Sequence, residues 1–109
     1  MTAQQIQTYE ISKTALLNDD FRQSGFGVVL TNGVQSVPDL NGLMKAVRSF
    51  DNFNEDNDPY GERDFGSLNW YGHKIFWKID YYNQELDSWE DPLSPDCNRV
   101  MTVMLAEDY

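Results

Sequence analysis

Apolar residues recur along this chain at two spacings, one helical and one strand-like, with polar segments between them. Ala3 to Arg22 reads as a helix, with Ile6, Tyr9, Leu16, Leu17 and Phe21 near helical spacing and Gly25 placed to stop it. The apolar stripe is imperfect. Ser12, followed by Lys13 and Thr14, offers a second start at Lys13, which leaves residues 1–12 as a loosely attached helical arm. Phe26 to Thr31 holds the β-branched pair Val28 and Val29 and reads as a first strand, closed by the turn formers Asn32 and Gly33. Ser36, Pro38 and Asp39 open the clearest helix, because Leu40, Leu43, Met44 and Val47 fall at i, i+3, i+4 and i+7. That helix ends near Phe50, before a segment from Asp51 to Gly61 rich in Asn, Pro and Gly.

Strict alternation then takes over. Asp64 to Tyr71 and His73 to Tyr82 read as two strands joined across Gly72 in a hairpin. In the second, Ile75, Trp77, Ile79 and Tyr81 share one face, while Lys74, Phe76, Lys78, Asp80 and Tyr82 share the other, so one face is core and the other mixed. A polar loop with Pro92 and Pro95 spans Asn83 to Asn98. Arg99 to Ala106 follows as a last strand that is apolar on both faces, which suits a central place in a sheet. The order α-β-α-β-β-β predicts one α+β domain over residues 1–109, two helices packed on a four-stranded, largely antiparallel sheet. The length of 109 residues suits a single core, and 15 aromatic side chains (6 Phe, 6 Tyr, 3 Trp) exclude a disordered tail.

Charge changes the picture most. Eighteen acidic residues against eight basic ones give a net charge of −10, which repels phosphate backbones and anionic lipids over roughly 8 Å at physiological salt. Direct nucleic-acid and membrane binding are therefore disfavoured. The acids cluster: Asp51, Glu55, Asp56, Asp58, Glu62 and Asp64 are relieved only by Arg63, and no Lys or Arg lies between Lys78 and Arg99, where Asp80, Glu85, Asp87, Glu90, Asp91 and Asp96 fall. Such runs either solvate loops or present a surface that imitates nucleic-acid charge to a basic partner. One cysteine, Cys97, excludes an intramolecular disulfide and favours a reducing compartment. No basic segment followed by an apolar run opens the chain, and no stretch near 18 apolar residues occurs, so a cytoplasmic location is expected.

Specific chemistries mostly fail on residue type. The calcium-loop pattern counted from Asp56 puts Tyr60 at the fifth position and Ser67 at the twelfth, where oxygen ligands are required. His73 is the only histidine, which excludes two-histidine metal sites; Asp64 or Asp80 could approach it across the hairpin. Arg99 could lower the thiol pKa of Cys97, but nothing in the sequence brings Cys97 to His73. The glycines match neither a P-loop nor a dinucleotide fingerprint. Trp70, Tyr71, Phe76, Trp77, Tyr81 and Tyr82 crowd the hairpin without the basic groove that base stacking needs, so they divide between core and a protein-binding face. No cofactor and no metal site is expected.

From Leu16 onward, several segments together resemble a family of short bacterial proteins with a domain of unknown function, largely proteobacterial and often carried on plasmids or other mobile elements. They are Leu17 to Asp20 (LNDD), Val28 to Gly33 (VVLTNG), Asp56 to Glu62 (DNDPYGE) with Asp64-Phe65-Gly66, Phe76 to Tyr82 (FWKIDYY) and Met104 to Tyr109 (MLAEDY). The resemblance carries over no catalytic residue. It implies the setting of small acidic proteins on mobile elements, which often inhibit or assist a host or rival protein.

The leading expectation is a non-enzymatic interaction module that binds a basic protein surface, in its most concrete form a nucleic-acid mimic acting on a defence or nucleic-acid-handling enzyme. Its surface would comprise Asp51, Glu55, Asp56, Asp58, Glu62, Glu85, Asp87 and Glu90. The alternative is a small enzyme or ligand- or metal-binding domain, with Asp58, Tyr60, Asp64, His73 and Asp80 where the DNDPYGE turn meets the hairpin. A homodimer formed through a sheet edge is a third.

Overall fold

A computed structural model describes residues 11–109. It is an α+β fold, with two helices on one face of a four-stranded sheet in the order β1-β4-β3-β2. The first helix, α1 (Lys13–Ser24), starts on Ser12, whose extended backbone and side-chain oxygen cap the amide of Ala15 at 3.0 Å, a contact worth about 1 kcal/mol. A continuous helix from Ala3 is thus corrected to the later start, since Ile11 and Ser12 lie outside it. The amino-terminal arm, with Ile6 and Tyr9, lies outside the described residues. Gly25 ends α1 in the left-handed conformation expected of it.

The buried face of α1 is a second correction. Ala15, Asn18 and Arg22 are buried and Leu16 is exposed, so the helix turns a partly polar stripe inward. Its weak apolar periodicity has this origin. The Asn18 amide and Arg22 Nη2 find hydrogen-bond partners on neighbouring elements, whereas Arg22 Nε and Nη1 find none among the described residues.

Strand β1 (Val28–Leu30) is shorter than the pattern from Phe26 to Thr31 suggests. Phe26 is exposed and Gly27 takes a positive φ that breaks strand geometry, although the carbonyl of Gly27 still accepts from the amide of Met101. After the turn at Asn32 and Gly33 comes a short 3-10 helix, Val34–Ser36, which buries Val34 beside Val37. The second helix, α2 (Leu40–Arg48), is capped by Asp39, whose carboxylate accepts from Gly42, and it buries Leu43 and Val47 as its spacing predicts.

Strands β2 (Phe65–Trp70) and β3 (His73–Tyr82) pair antiparallel around Tyr71 and Gly72, both at positive φ, the geometry that a two-residue hairpin turn requires. Strand β4 (Asn98–Leu105) lies between β3, antiparallel, and β1, parallel, which confirms its central place. The core forms on the helix side, where Ile75, Trp77 and Ile79 of β3 and Met101 and Val103 of β4 meet Val34, Leu43 and Val47. On the other face, Phe65, Phe76 and Tyr109 form a smaller aromatic cluster. No helix among the described residues is long and apolar enough to cross a membrane.

Candidate functional site

The two acidic segments are about thirty residues apart in sequence and lie at the same end of the sheet. Antiparallel pairing explains this, because the chain enters β2 where β3 is ending: Phe65 lies opposite Lys78, and the amide of Ile79 donates to the carbonyl of Asp64. The turn from Asn52 to Gly61 is held by asparagine side chains. Asn54 Oδ1 accepts from the amides of Asp56 and Asn57, Asn57 Nδ2 donates to the carbonyl of Asn52, and Asp58 Oδ1 accepts from the amide of Arg63. The hydroxyl of Ser12 donates to the carbonyl of Gly61, which ties this turn to the start of α1.

The second acidic segment folds back on the sheet. Tyr82 pairs with Asn98 of β4 on one side and forms an isolated bridge with Trp89 on the other, the edge of β3 that β2 leaves free. Asn83 Nδ2 donates to Asp87, the amide of Asp87 donates to Asn83 Oδ1, and the amide of Asn83 donates to the carbonyl of Ser88. A gap therefore remains on this edge of β3 between Asp64 and Trp89.

Two adjoining open clefts occupy that gap and share Asp64, Tyr81 and Trp89. One, of about 420 Å³, is also lined by Ser12, Tyr60 and Glu62; the other, of about 410 Å³, by Asp80, Asp87 and Ser88. Tyr60 and Trp89, which line the first of these clefts together, are 88% and 70% exposed.

Beneath the clefts runs a polar network that orders their floor. Asn18 Nδ2 donates to the Tyr81 hydroxyl at 2.8 Å and to the carbonyl of Glu62 at 2.9 Å, while Asn18 Oδ1 accepts from Arg99 Nε at 2.7 Å. The Tyr81 hydroxyl donates to Glu62 Oε1 at 2.8 Å, and Arg99 also donates to the carbonyl of Pro92. Asp19 bridges Arg22 and Arg63 at 3.1 and 2.8 Å. Arg63 is thereby turned inward, over Phe53, and away from the exposed acids it separates in sequence.

The electrostatics follow from this placement. Burial raises the Asp64 carboxyl above its ordinary range, and the nearby charges of Glu62, Asp58 and Asp80 raise it further. Burial also raises the Tyr81 phenol, helped by Glu62 and Asp64 against the opposing bond from Asn18, so Tyr81 stays a neutral donor. Asp64 takes part in none of the ion pairs among the described residues.

The sequence-predicted residues divide. Of the acidic surface, Asp51, Glu55, Asp56, Glu85 and Asp87 are exposed, Asp58 and Glu90 are half-buried, and Glu62 is engaged by Tyr81. Of the alternative set, Tyr60 and Asp64 line one cleft, Asp64 and Asp80 the other, and Asp58 caps the Arg63 amide. His73 does not join them. It pairs with Trp70 at the hairpin, seven residues before Asp80 on an extended strand, roughly 23 Å away at 3.3 Å per residue, so neither Asp64 nor Asp80 approaches it. At Cys97 burial raises the thiol pKa and outweighs Arg99, against the expectation of a lowered value. Sequence reasoning passed over Trp89, Glu62's link to Tyr81, and the polar stripe of α1; an unusually polar helix face was the one available signal. Among the described residues, no group of three or more His, Cys, Asp or Glu side chains is placed to hold a metal ion.

No curated protein and no solved structure matches the chain. A family model matches residues 30–108, which takes in the DNDPYGE and FWKIDYY segments and all of MLAEDY but Tyr109, and leaves Leu17 to Asp20 before its start. By that match the chain belongs to the family described as Protein of unknown function (DUF3768).

Proposed function

We propose that this protein is a cytoplasmic, non-enzymatic interaction module that binds a basic surface of another protein through the acidic end of its sheet. The observation that carries the reading is the convergence of the Asp51–Asp64 and Asn83–Asp96 segments around one edge of β3. On these segments Asp51, Glu55, Asp56, Glu85 and Asp87 are exposed, as are the rings of Tyr60 and Trp89. Acidic potential of this kind speeds encounter with a basic partner, and rigid aromatics supply short-range affinity. In its most concrete form the acidic end occupies the nucleic-acid groove of a defence or nucleic-acid-handling enzyme.

The test is capture of partners from host lysate by tagged protein, followed by competition. A nucleic-acid-handling protein that is released by duplex DNA, released by raised salt, and not captured by a variant with Asp51, Glu55, Asp56, Glu85 and Asp87 reversed to lysine supports the reading. A partner indifferent to all three, bound by a variant that still folds, overturns it.

A further inference from the structure

Resting on that reading, we infer that the cleft between Tyr60 and Trp89 receives an arginine side chain of the partner, its guanidinium stacked on an aromatic ring and hydrogen-bonded to the carboxylate of Asp64. Three observations meet here. Tyr60 and Trp89 line one cleft and expose most of their surface, yet both sit on turns fixed by backbone hydrogen bonds, so little loop ordering is needed when they are covered. Asp64 is half-buried among Glu62, Asp58 and Asp80, and none of the ion pairs among the described residues supplies it with a cation. The basic residues closest in sequence are already committed: Arg63 to Asp19, Lys78 to Asp80, and Arg99 to Asn18 and Pro92.

A half-buried carboxylate without a counter-ion is costly, and a cation from outside relieves that cost. The flanking rings select its kind. Guanidinium is planar, weakly hydrated and forked, so it stacks on an aromatic face while it donates to a carboxylate; ammonium is compact and holds its water. An apolar side chain could cover the rings but would leave Asp64 unpaired.

The probe is a capped Gly-Arg-Gly peptide, compared with its lysine and citrulline counterparts, added to the full chain and followed by NMR at the indole N–H of Trp89 and, in every variant, at the backbone amides of Asp64 and Tyr81, which line the same cleft. The expected result is a saturable shift with the arginine peptide, an affinity about two- to fivefold weaker with lysine, and no shift with the neutral citrulline. Trp89→Ala and Tyr60→Ala alter exposed side chains and keep the native spectrum, yet weaken binding; Asp64→Asn removes it. Equal responses to arginine and citrulline, or an unchanged affinity in Trp89→Ala and Asp64→Asn, overturn the inference.

An immobilised decalysine peptide separates this inference from the broader reading. Salt-sensitive capture by decalysine, lost when Asp51, Glu55, Asp56 and Glu85 are reversed, with no arginine response at Trp89, discards the cleft and retains the acidic surface. Loss of both discards both.

Discussion

Gly66 lies directly across the β2–β3 ladder from Trp77, and a Cβ atom built at Gly66 would fall within the indole ring's own contact distance. The fully buried indole therefore lies over a strand position that has no side chain. Gly66→Ala is expected to destabilise the fold by about 1–3 kcal/mol, because Trp77 is held by Phe50 and Phe53 and has nowhere to retreat. Urea unfolding measures this, with native m-values showing that compactness is kept.

Arg22 packs on the same indole. Its guanidinium is 1% exposed, stands 4.8 Å from the Trp77 ring centroid and 5.4 Å from that of Phe53, and donates to Asp19 and to the carbonyl of Phe50. Among the described residues, Nε and Nη1 have no hydrogen-bond partner, so the aromatic rings stand in for one. Arg22→Met should cost about 3–5 kcal/mol, and Arg22→Lys should fail to restore the loss, because ammonium cannot span both rings and both acceptors. Thermal unfolding of the two variants decides it; full rescue by lysine would show that only charge matters.

Tyr81 joins α1 to the acidic turn through Asn18 and Glu62. Tyr81→Phe keeps the ring and deletes the hydroxyl, leaving two part-buried polar groups short of a partner. A loss of about 1–3 kcal/mol is expected, with the greatest rise in amide exchange at Glu62 and Arg63. An exchange profile altered only near β3 would contradict the linkage.

Asp64 carries a pH dependence of opposite sign to the usual acidic residue. Its folded carboxyl lies above the unfolded value, so the folded state holds its proton more tightly, and the stability this contributes at low pH is lost as pH rises through the folded pKa. Asp64→Asn should therefore raise the melting temperature at pH 7, with the gain shrinking to nothing below the unfolded value of about 3.9. Melting curves at pH 3.5 and 7 are the comparison. A gain of equal size at both would assign the effect to packing.

Local pattern carried much of the architecture. The i, i+3, i+4, i+7 repeat from Leu40 to Val47 located α2 and its buried face, alternation placed Ile75, Trp77 and Ile79 in the core, and the two-sided apolar pattern of β4 identified a central strand. Helix α1 was less legible, because its inward stripe includes Asn18 and Arg22, whose burial depends on acceptors more than twenty-five residues away at Phe50, Glu62 and Tyr81. No hydropathy pattern encodes such distant partners. His73 looked like a site residue because it adjoins a strand of site candidates, and hairpin register sent it to the opposite end.

The amino-acid sequence by itself determined the α+β class, the net charge of −10 and the two acidic runs, since each follows from residue type and nearest-neighbour spacing. Tertiary structure alone decided that the runs converge, that β1 joins β4 in parallel, and that Tyr60, Asp64 and Trp89 border one cleft. Those relations depend on strand order and on which edge of β3 each segment occupies, and a one-dimensional pattern of side chains leaves both open.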